Sequence, residues 1–254
     1  MPWDLLPLLP LGILAGLLSG VLGIGGGLVF SPLLLVMGLD PHQAMATSTL
    51  AILPTTLAGT SAHLRSGSLP PVPGMAIGAG ALMTGWLFSH VGSLLNGWQL
   101  LGLQALVYLV LAFTIQAKEA LPAQNPKRPL PLGGLAAVGL VAGFAGGLLG
   151  VGGGLVMVPL MVRLLNVPIH LAIRFSTLAV FCSASGAAPA FLGDGRGQWL
   201  PALLLGGTAA FGAHWSAARL NRVSEARLVW LLRLVAISLA LDSGRRALNL
   251  VLSG

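Results

Sequence analysis

Long apolar stretches alternate along the chain with short polar interruptions. The apolar runs cover residues 5–38, 42–62, 72–91, 98–117, 130–165, 171–192, 200–218 and 228–241. Several are close to the ~20 residues that carry an α-helix across a ~30 Å hydrocarbon core. The pattern therefore predicts an all-α integral membrane protein. Two runs are too long for one straight span: residues 5–38, as a single helix, would reach about 51 Å at ~1.5 Å per residue. Each of these two holds a glycine cluster, "LGIGGG" at 22–27 and "LGVGGG" at 149–154. A break there leaves a span of ordinary length followed by a short helix of about ten residues, starting near Leu28 and near Leu155. Counting these broken helices, eight to ten transmembrane segments are expected. Irregular backbone is not tolerated against lipid, so each break must be buried in protein or line a cavity.

The most hydrophilic interruption, "QAKEALPAQNPKRP" at 116–129, divides the chain nearly in half, and the halves are copies. At a shift of 127 residues, Gly12, Gly16, Gly20, Gly23, Gly25, Gly26, Gly27 and Pro32 fall on Gly139, Gly143, Gly147, Gly150, Gly152, Gly153, Gly154 and Pro159. One residue later in register, "HQAMATSTLA" (42–51) overlies "HLAIRFSTLA" (170–179). The expected organisation is a first membrane repeat at 1–117, a cytoplasmic linker at 118–129 and a second membrane repeat at 130–254.

Composition agrees with a lipid environment: 56% of the 254 residues are hydrophobic and only 7% charged, against roughly a quarter in soluble domains. The formal charge of +7 would suggest nucleic acid in a soluble chain. Here the Lys and Arg residues lie mostly between apolar runs, where they act as topology signals at the anionic cytoplasmic face, so no nucleic-acid partner is expected. "MPWDLLPLLP" has no basic start and carries Asp4, so no cleaved signal peptide is expected. The lone Cys182 cannot form an intramolecular disulfide.

The stretch "GVLGIGGGLVFSPLLLVMGLDPHQAMATSTLA" and its second copy "GLLGVGGGLVMVPLMVRLLNVPIHLAIRFSTLA" resemble the sulfite exporter TauE/SafE family of bacterial membrane transporters. The likeness covers nearly the whole chain and rests on the glycine cluster, the proline and the Ser-Thr element together. It implies transport of small anions, chiefly sulfite and organosulfonates, across the cytoplasmic membrane. The second copy departs from the pattern, with Arg174-Phe175-Ser176 where the first has Ala46-Thr47-Ser48.

The breaks themselves offer hydrogen-bond donors. The first N–H groups of a helix have no intrahelical partner, and its positive dipole end favours an anion. Gly25, Gly26 and Gly27, with Gly152, Gly153 and Gly154, are accordingly the candidate substrate site, because consecutive glycines point around a helix and form no packing face. Gly12, Gly16 and Gly20, and their copies, are spaced by four and read as a helix-packing face. Ser48 and Thr49, with Ser176 and Thr177, lie about two turns into the following helix; their hydroxyls either face the break or bond their own backbone. Arg174 either snorkels to the interface or serves an anion path.

Other chemistry finds little support. The dinucleotide fingerprint would need glycine at Leu28, and Gly-Lys-Ser/Thr never occurs. The histidines His42, His63, His90, His170 and His214 are scattered without metal-ligand spacing, so no metal and no cofactor is expected; proton coupling through His42 or His170 stays open. "SASG" at 183–186 has no histidine placed to make a serine protease, so no enzyme is expected. Matched glycine-interrupted segments in two halves point to a transporter's central site. Five passes per half would make the repeats inverted; with the linker inside, eight basic residues lie inside and three outside, against seven and four for parallel repeats. Inversion is the choice, because it brings the two half-helix N-termini together at the midplane. The expected function is a multi-pass secondary carrier of the bacterial inner (cytoplasmic) membrane, an exporter of sulfite or organosulfonates. Its partners are the small anionic substrate and the lipid bilayer, and homo-oligomerisation is left open. The alternatives are a carrier of another small anion or a metal ion, or a non-transport membrane scaffold.

Overall fold

The computed structural model describes residues 7–92, 94–114, 130–150 and 152–253. The expected linker at 118–129 and the start of the chain with Asp4 lie outside the described residues. Within them the fold is helical, and no strand occurs. The elements are α1 (Leu8–Leu22), α2 (Gly27–Val36), α3 (Pro41–Arg65), α4 (Pro71–Gly92), α5 (Gly97–Thr114), α6 (Leu132–Leu149), α7 (Gly154–Leu164), α8 (Ile169–Gly193), α9 (Trp199–Ala217) and α10 (Glu225–Ser253). A single 3-10 turn at Leu220–Arg222 precedes α10.

The two long apolar runs are broken at their glycines. Gly23 ends α1 in the left-handed conformation, φ +68°, with its N–H returned to Ser19 O at 2.7 Å. Gly150 ends α6 in the same way, φ +64°, bonded to Gly146 O. Asp40 caps α3 by accepting from the Gln43 N–H at 2.9 Å, with Pro41 at the first helical position, an arrangement that satisfies one orphan donor and uses proline where no donor is needed.

Among the described residues, α4, α6 and α8 are long and apolar enough to cross a membrane by length and composition alone. The remaining spans fall short of that measure for local reasons. α1, α2 and α7 are pieces of broken runs, α3 buries Thr47, Ser48, Thr49, Thr55, Thr56 and Thr60, and α10 carries Arg233, Asp242, Arg245 and Arg246. α3 and α8 have 25 residues each, about 37 Å at the helical rise.

Glycine faces set the packing. α1 lies on α9, and α6 lies on α4, so each half's first helix packs against the other half's fourth. A Cβ at Gly16 would run into the Ala209 backbone, and one at Gly139 into the Ile77 carbonyl. Contacts ascend together along both pairs, Gly12 to Thr208 and Gly20 to Ser216, Gly139 to Ile77 and Gly147 to Gly85, so the paired helices run parallel. α3 joins α9 in the same sense, from Gly197 against Leu50 to His214 Nδ1 at Ala58 O. α8 joins α4 likewise, from Gly74 against Leu178 to Gly186 against Leu82 and Trp86. Between these two groups the sense reverses. Arg196, just beyond the end of α8, lies 3.3 Å from His42 at the start of α3, while Arg174 near the start of α8 donates to Ser68 O beyond the end of α3. α3 and α8 are antiparallel. α5 and α10 form a further pair at the side.

Candidate functional site

Both glycine breaks lie at the seam between α3 and α8, and they touch. Gly25 and Gly26 have φ +76° and +80°, and Gly152 and Gly153 have φ +83° and +65°. Such values favour glycine because a Cβ would crowd the following carbonyl. Together with Gly23 and Gly150 each break thus contains three left-handed glycines, which accounts for the G-x-G-G spacing of both copies. Gly27 and Gly154 are different, being the first helical residues of α2 and α7. At Gly154 the reason for glycine is proximity, since a Cβ would stand 2.5 Å from Gly23 O and 2.7 Å from Ile24 Cα. The second break therefore packs directly on the first. Val180, in the middle of α8, faces Gly25, Gly152 and Gly154 together.

The first backbone bonds of α2 that reach back into the break come from Val29 and Phe30, both to Gly26 O, at 2.9 and 3.0 Å. In α7 they come from Val156 and Met157, both to Gly153 O. The preceding N–H groups, of Gly25 to Leu28 and of Gly152 to Leu155 with their glycines, donate to no backbone carbonyl among the described residues. Two sets of orphan donors and two positive dipole ends thus converge in a buried, apolar setting.

The four nominated hydroxyls are all buried and all at or near the seam, but they face carbonyls. Ser48 Oγ donates to Gly27 O at 3.3 Å. Ser176 Oγ lies 2.7 Å from Gly23 O and 3.3 Å from Gly154 O, bridging one break to the other. Thr49 Oγ1 bonds Met45 O at 2.9 Å and approaches Gly150 O at 3.4 Å. Thr177 bonds only its own helix, at Ile173 O. The Ser48 and Ser176 protons are thus committed to backbone carbonyls at the breaks, and those of Thr49 and Thr177 chiefly to their own helices.

Arg174 is not brought to the glycines. Its guanidinium donates to Ser68 O at 3.0 Å and to Asn221 Oδ1 at 2.6 Å, tying α8 to the loop after α3 and to the turn before α10. Its position in a half-exposed loop contact fits the interface side of the two readings that the sequence left open. The opposite mouth of the seam carries a cavity of about 590 Å³ lined by Asp40, His42, Gln43, Trp98 and Arg196 among others.

Sequence reasoning missed Val180 and Ile52, the apolar side chains that press on the breaks. Neither has a signal of its own; only the fold brings them there. Gly23 and Gly150 were visible as matched positions in the repeat, and their role as helix stops follows from the glycine preference of helix C-termini.

The sulfite exporter TauE/SafE family model matches residues 8–242. "Probable membrane transporter protein YunE" of Bacillus subtilis is 27% identical over 255 residues, covering 91% of this chain and 93% of that protein. A "Probable membrane transporter protein" of Xylella fastidiosa is 30% identical over 66% of this chain and 67% of its own length. "Sulfite exporter TauE/SafE family protein 3" of Arabidopsis thaliana is 46% identical over 41 residues, 16% of this chain and 9% of that protein.

Proposed function

The chain belongs to the sulfite exporter TauE/SafE family and is a membrane transport protein, and on that premise we propose that it is a secondary carrier of small sulfur-containing anions, sulfite or organosulfonates. It resides in the cell membrane as a multi-pass protein and exports its substrate by alternating access around the two glycine breaks. The observation that carries this reading is the meeting of the breaks at the α3–α8 seam, with the first N–H groups of α2 and α7 left without backbone acceptors among the described residues. Desolvating an anion costs several kcal/mol after relaxation. One helix N-terminus returns about 0.3 to 2 kcal/mol, and each charge-assisted hydrogen bond about 1.5 to 3. A single break falls short, whereas two together bring the sum near balance and leave the anion free to depart.

The antiparallel course of α3 and α8 supports inverted repeats, residues 1–117 and 130–254, joined by a cytoplasmic linker. α1 and α3 run the same way, so the chain must return through the break and α2. α1–α2 and α6–α7 then act as re-entrant pairs entering from opposite faces, each with its glycines near the midplane.

The test is transport of radiolabelled sulfite in proteoliposomes, with methanesulfonate and chloride as competitors. Gly26→Val and Gly153→Val, strained by the positive φ at both positions, are each expected to lower stability and to abolish transport and sulfite binding in the fraction that inserts and purifies as a single species. Gly16→Ala, on the packing face against α9, should lower stability more than affinity. Normal affinity in either valine variant would remove the breaks as the site.

A further inference from the structure

Every hydroxyl that the repeat nominates near the breaks holds a backbone acceptor. So does Thr56, which faces Gly25 and donates to Ile52 O. One hydroxyl there does not. Ser183, on α8, is 1% exposed, and its Oγ has no hydrogen-bond partner among the described residues. Its surroundings are glycine. A Cβ at Gly146 would overlap the Ser183 hydroxyl while standing 3.2 Å from the Gly152 carbonyl carbon and 3.4 Å from its Cα, and one at Gly85 would stand 3.0 Å from Ser183 Oγ. The hydroxyl and the second break therefore both border Gly146, which has no side chain to part them. Among the described residues Ser19 and Thr60 are also buried without partners, but neither is among the nearest atoms to a glycine that itself borders a break, as Gly146 borders Gly152.

An unsatisfied buried hydroxyl costs free energy in the empty protein. Its repeat counterpart, Thr55, avoids that cost by bonding Ala51 O at 2.9 Å. We propose that Ser183 is a substrate-contacting residue, which donates its proton to an oxygen of a small oxyanion held at the N-terminus of α7. The assignment rests on the carrier reading above and sharpens it. The site is asymmetric: the orphan N–H groups of both breaks face the anion, and Ser183, beside the second break alone, takes one further oxygen. An oxyanion can bridge the two; chloride offers a single centre, which the N–H groups hold alone.

The experiment is binding of labelled sulfite to purified full-length protein, with chloride competition and thermal unfolding measured on the same samples. Ser183→Ala should raise the sulfite Kd roughly 10- to 100-fold, as expected for one lost charge-assisted bond. It should leave the chloride Kd nearly unchanged, and it should unfold at the same or a higher temperature because no hydrogen bond of the free protein is lost. Thr55→Val should do the reverse, lowering the unfolding temperature with sulfite Kd intact. Wild-type sulfite affinity in Ser183→Ala would overturn the assignment while leaving the carrier reading in place. A drop in stability with unchanged Kd would make Ser183 structural and overturn it too. Failure of the wild type to bind sulfite, methanesulfonate or chloride would bring down the carrier reading, and this assignment with it.

Discussion

Ser176 offers the sharpest test of whether the two breaks act as one unit. Its hydroxyl, fully buried, donates to Gly23 O at 2.7 Å and lies 3.3 Å from Gly154 O. Gly23 belongs to the first half and Gly154 to the second, so a single side chain on α8 ties them. Ser176→Ala removes the donor and leaves the Gly23 carbonyl, beyond the end of α1, in a buried setting without it. Stranding a buried acceptor costs about 1 to 3 kcal/mol, and the short bond to Gly23 places the loss near the middle, about 2 kcal/mol. Among the described residues Ser48 makes one bond, at 3.3 Å and within its own half, and Thr177 bonds its own helix alone. The expected order of destabilisation is therefore Ser176→Ala well above Ser48→Ala, with Thr177→Val least. Thermal unfolding in detergent measures it. In proteoliposomes the same change should shift the balance away from the closed seam, because the bond exists only while the breaks touch; about 2 kcal/mol is roughly a 30-fold change in population. Cysteines introduced at Val180 should then label faster in Ser176→Ala than in its parent. Equal stability and equal labelling in all three variants would refute the view that the breaks are coupled through this hydroxyl.

Two further outcomes follow from the same geometry. Gly67 and Gly195 follow the ends of α3 and α8, with open space around them, so Gly67→Cys and Gly195→Cys in a Cys182→Ser background should react with an impermeant thiol reagent from opposite faces; reaction from one face would sink the inverted arrangement. Arg174→Gln should lower the unfolding temperature, because it releases Ser68 and Asn221, while the KM for sulfite stays within about twofold. A large rise in KM, partly restored by Arg174→Lys, would return the residue to the anion path.

The breaks were legible because their cause is local. A glycine at positive φ is required by the backbone itself, and four glycines in five residues have no packing explanation at helical spacing. The small-residue faces of α1 and α6 were legible for the opposite reason, as Gly12, Gly16 and Gly20 repeat with the helix turn. The direction of the hydroxyls was not. Ser48 and Ser176 stand at the predicted depth, but whether a hydroxyl meets an N–H or a carbonyl depends on how the other half approaches, and Gly23 lies 153 residues from Ser176 in the chain. Arg174 escaped for the same reason, since its partners Ser68 and Asn221 are 106 and 47 residues away. Ser183 sits in an unremarkable "SASG", and it becomes visible only as the hydroxyl for which the fold supplies no acceptor.

For the proposed carrier, the packing also separates the sequence repeat from the body that would move. α1, α3 and α9 run parallel and pack together, as do α4, α6 and α8, so each group mixes helices from both halves of the chain. Within a group, glycine places backbone against backbone: Gly16 on Ala209, Gly206 on Ala51, Gly139 on Ile77, Gly186 on Leu82. Such close contacts resist sliding, since even a methyl has no room to pass. Between the groups the close backbone contacts of glycine are confined to the breaks, Gly23 on Ile173, Gly150 on Met45 and Gly154 on Gly23 and Ile24. α3 meets α8 through Val180, Ile52 and the breaks, with Thr49 approaching Gly150 and Ser176 bonded to Gly23 across the seam. In the proposed carrier the two groups part at this seam, which is held by few hydrogen bonds and is tight only at the breaks, where the orphan N–H groups are held. Parting there uncovers the donors of both breaks at once. On the proposed mechanism the two helix N-termini are then available to one anion, and Ser183, seated on α8 beside the second break, stays with the group that carries α7's donors.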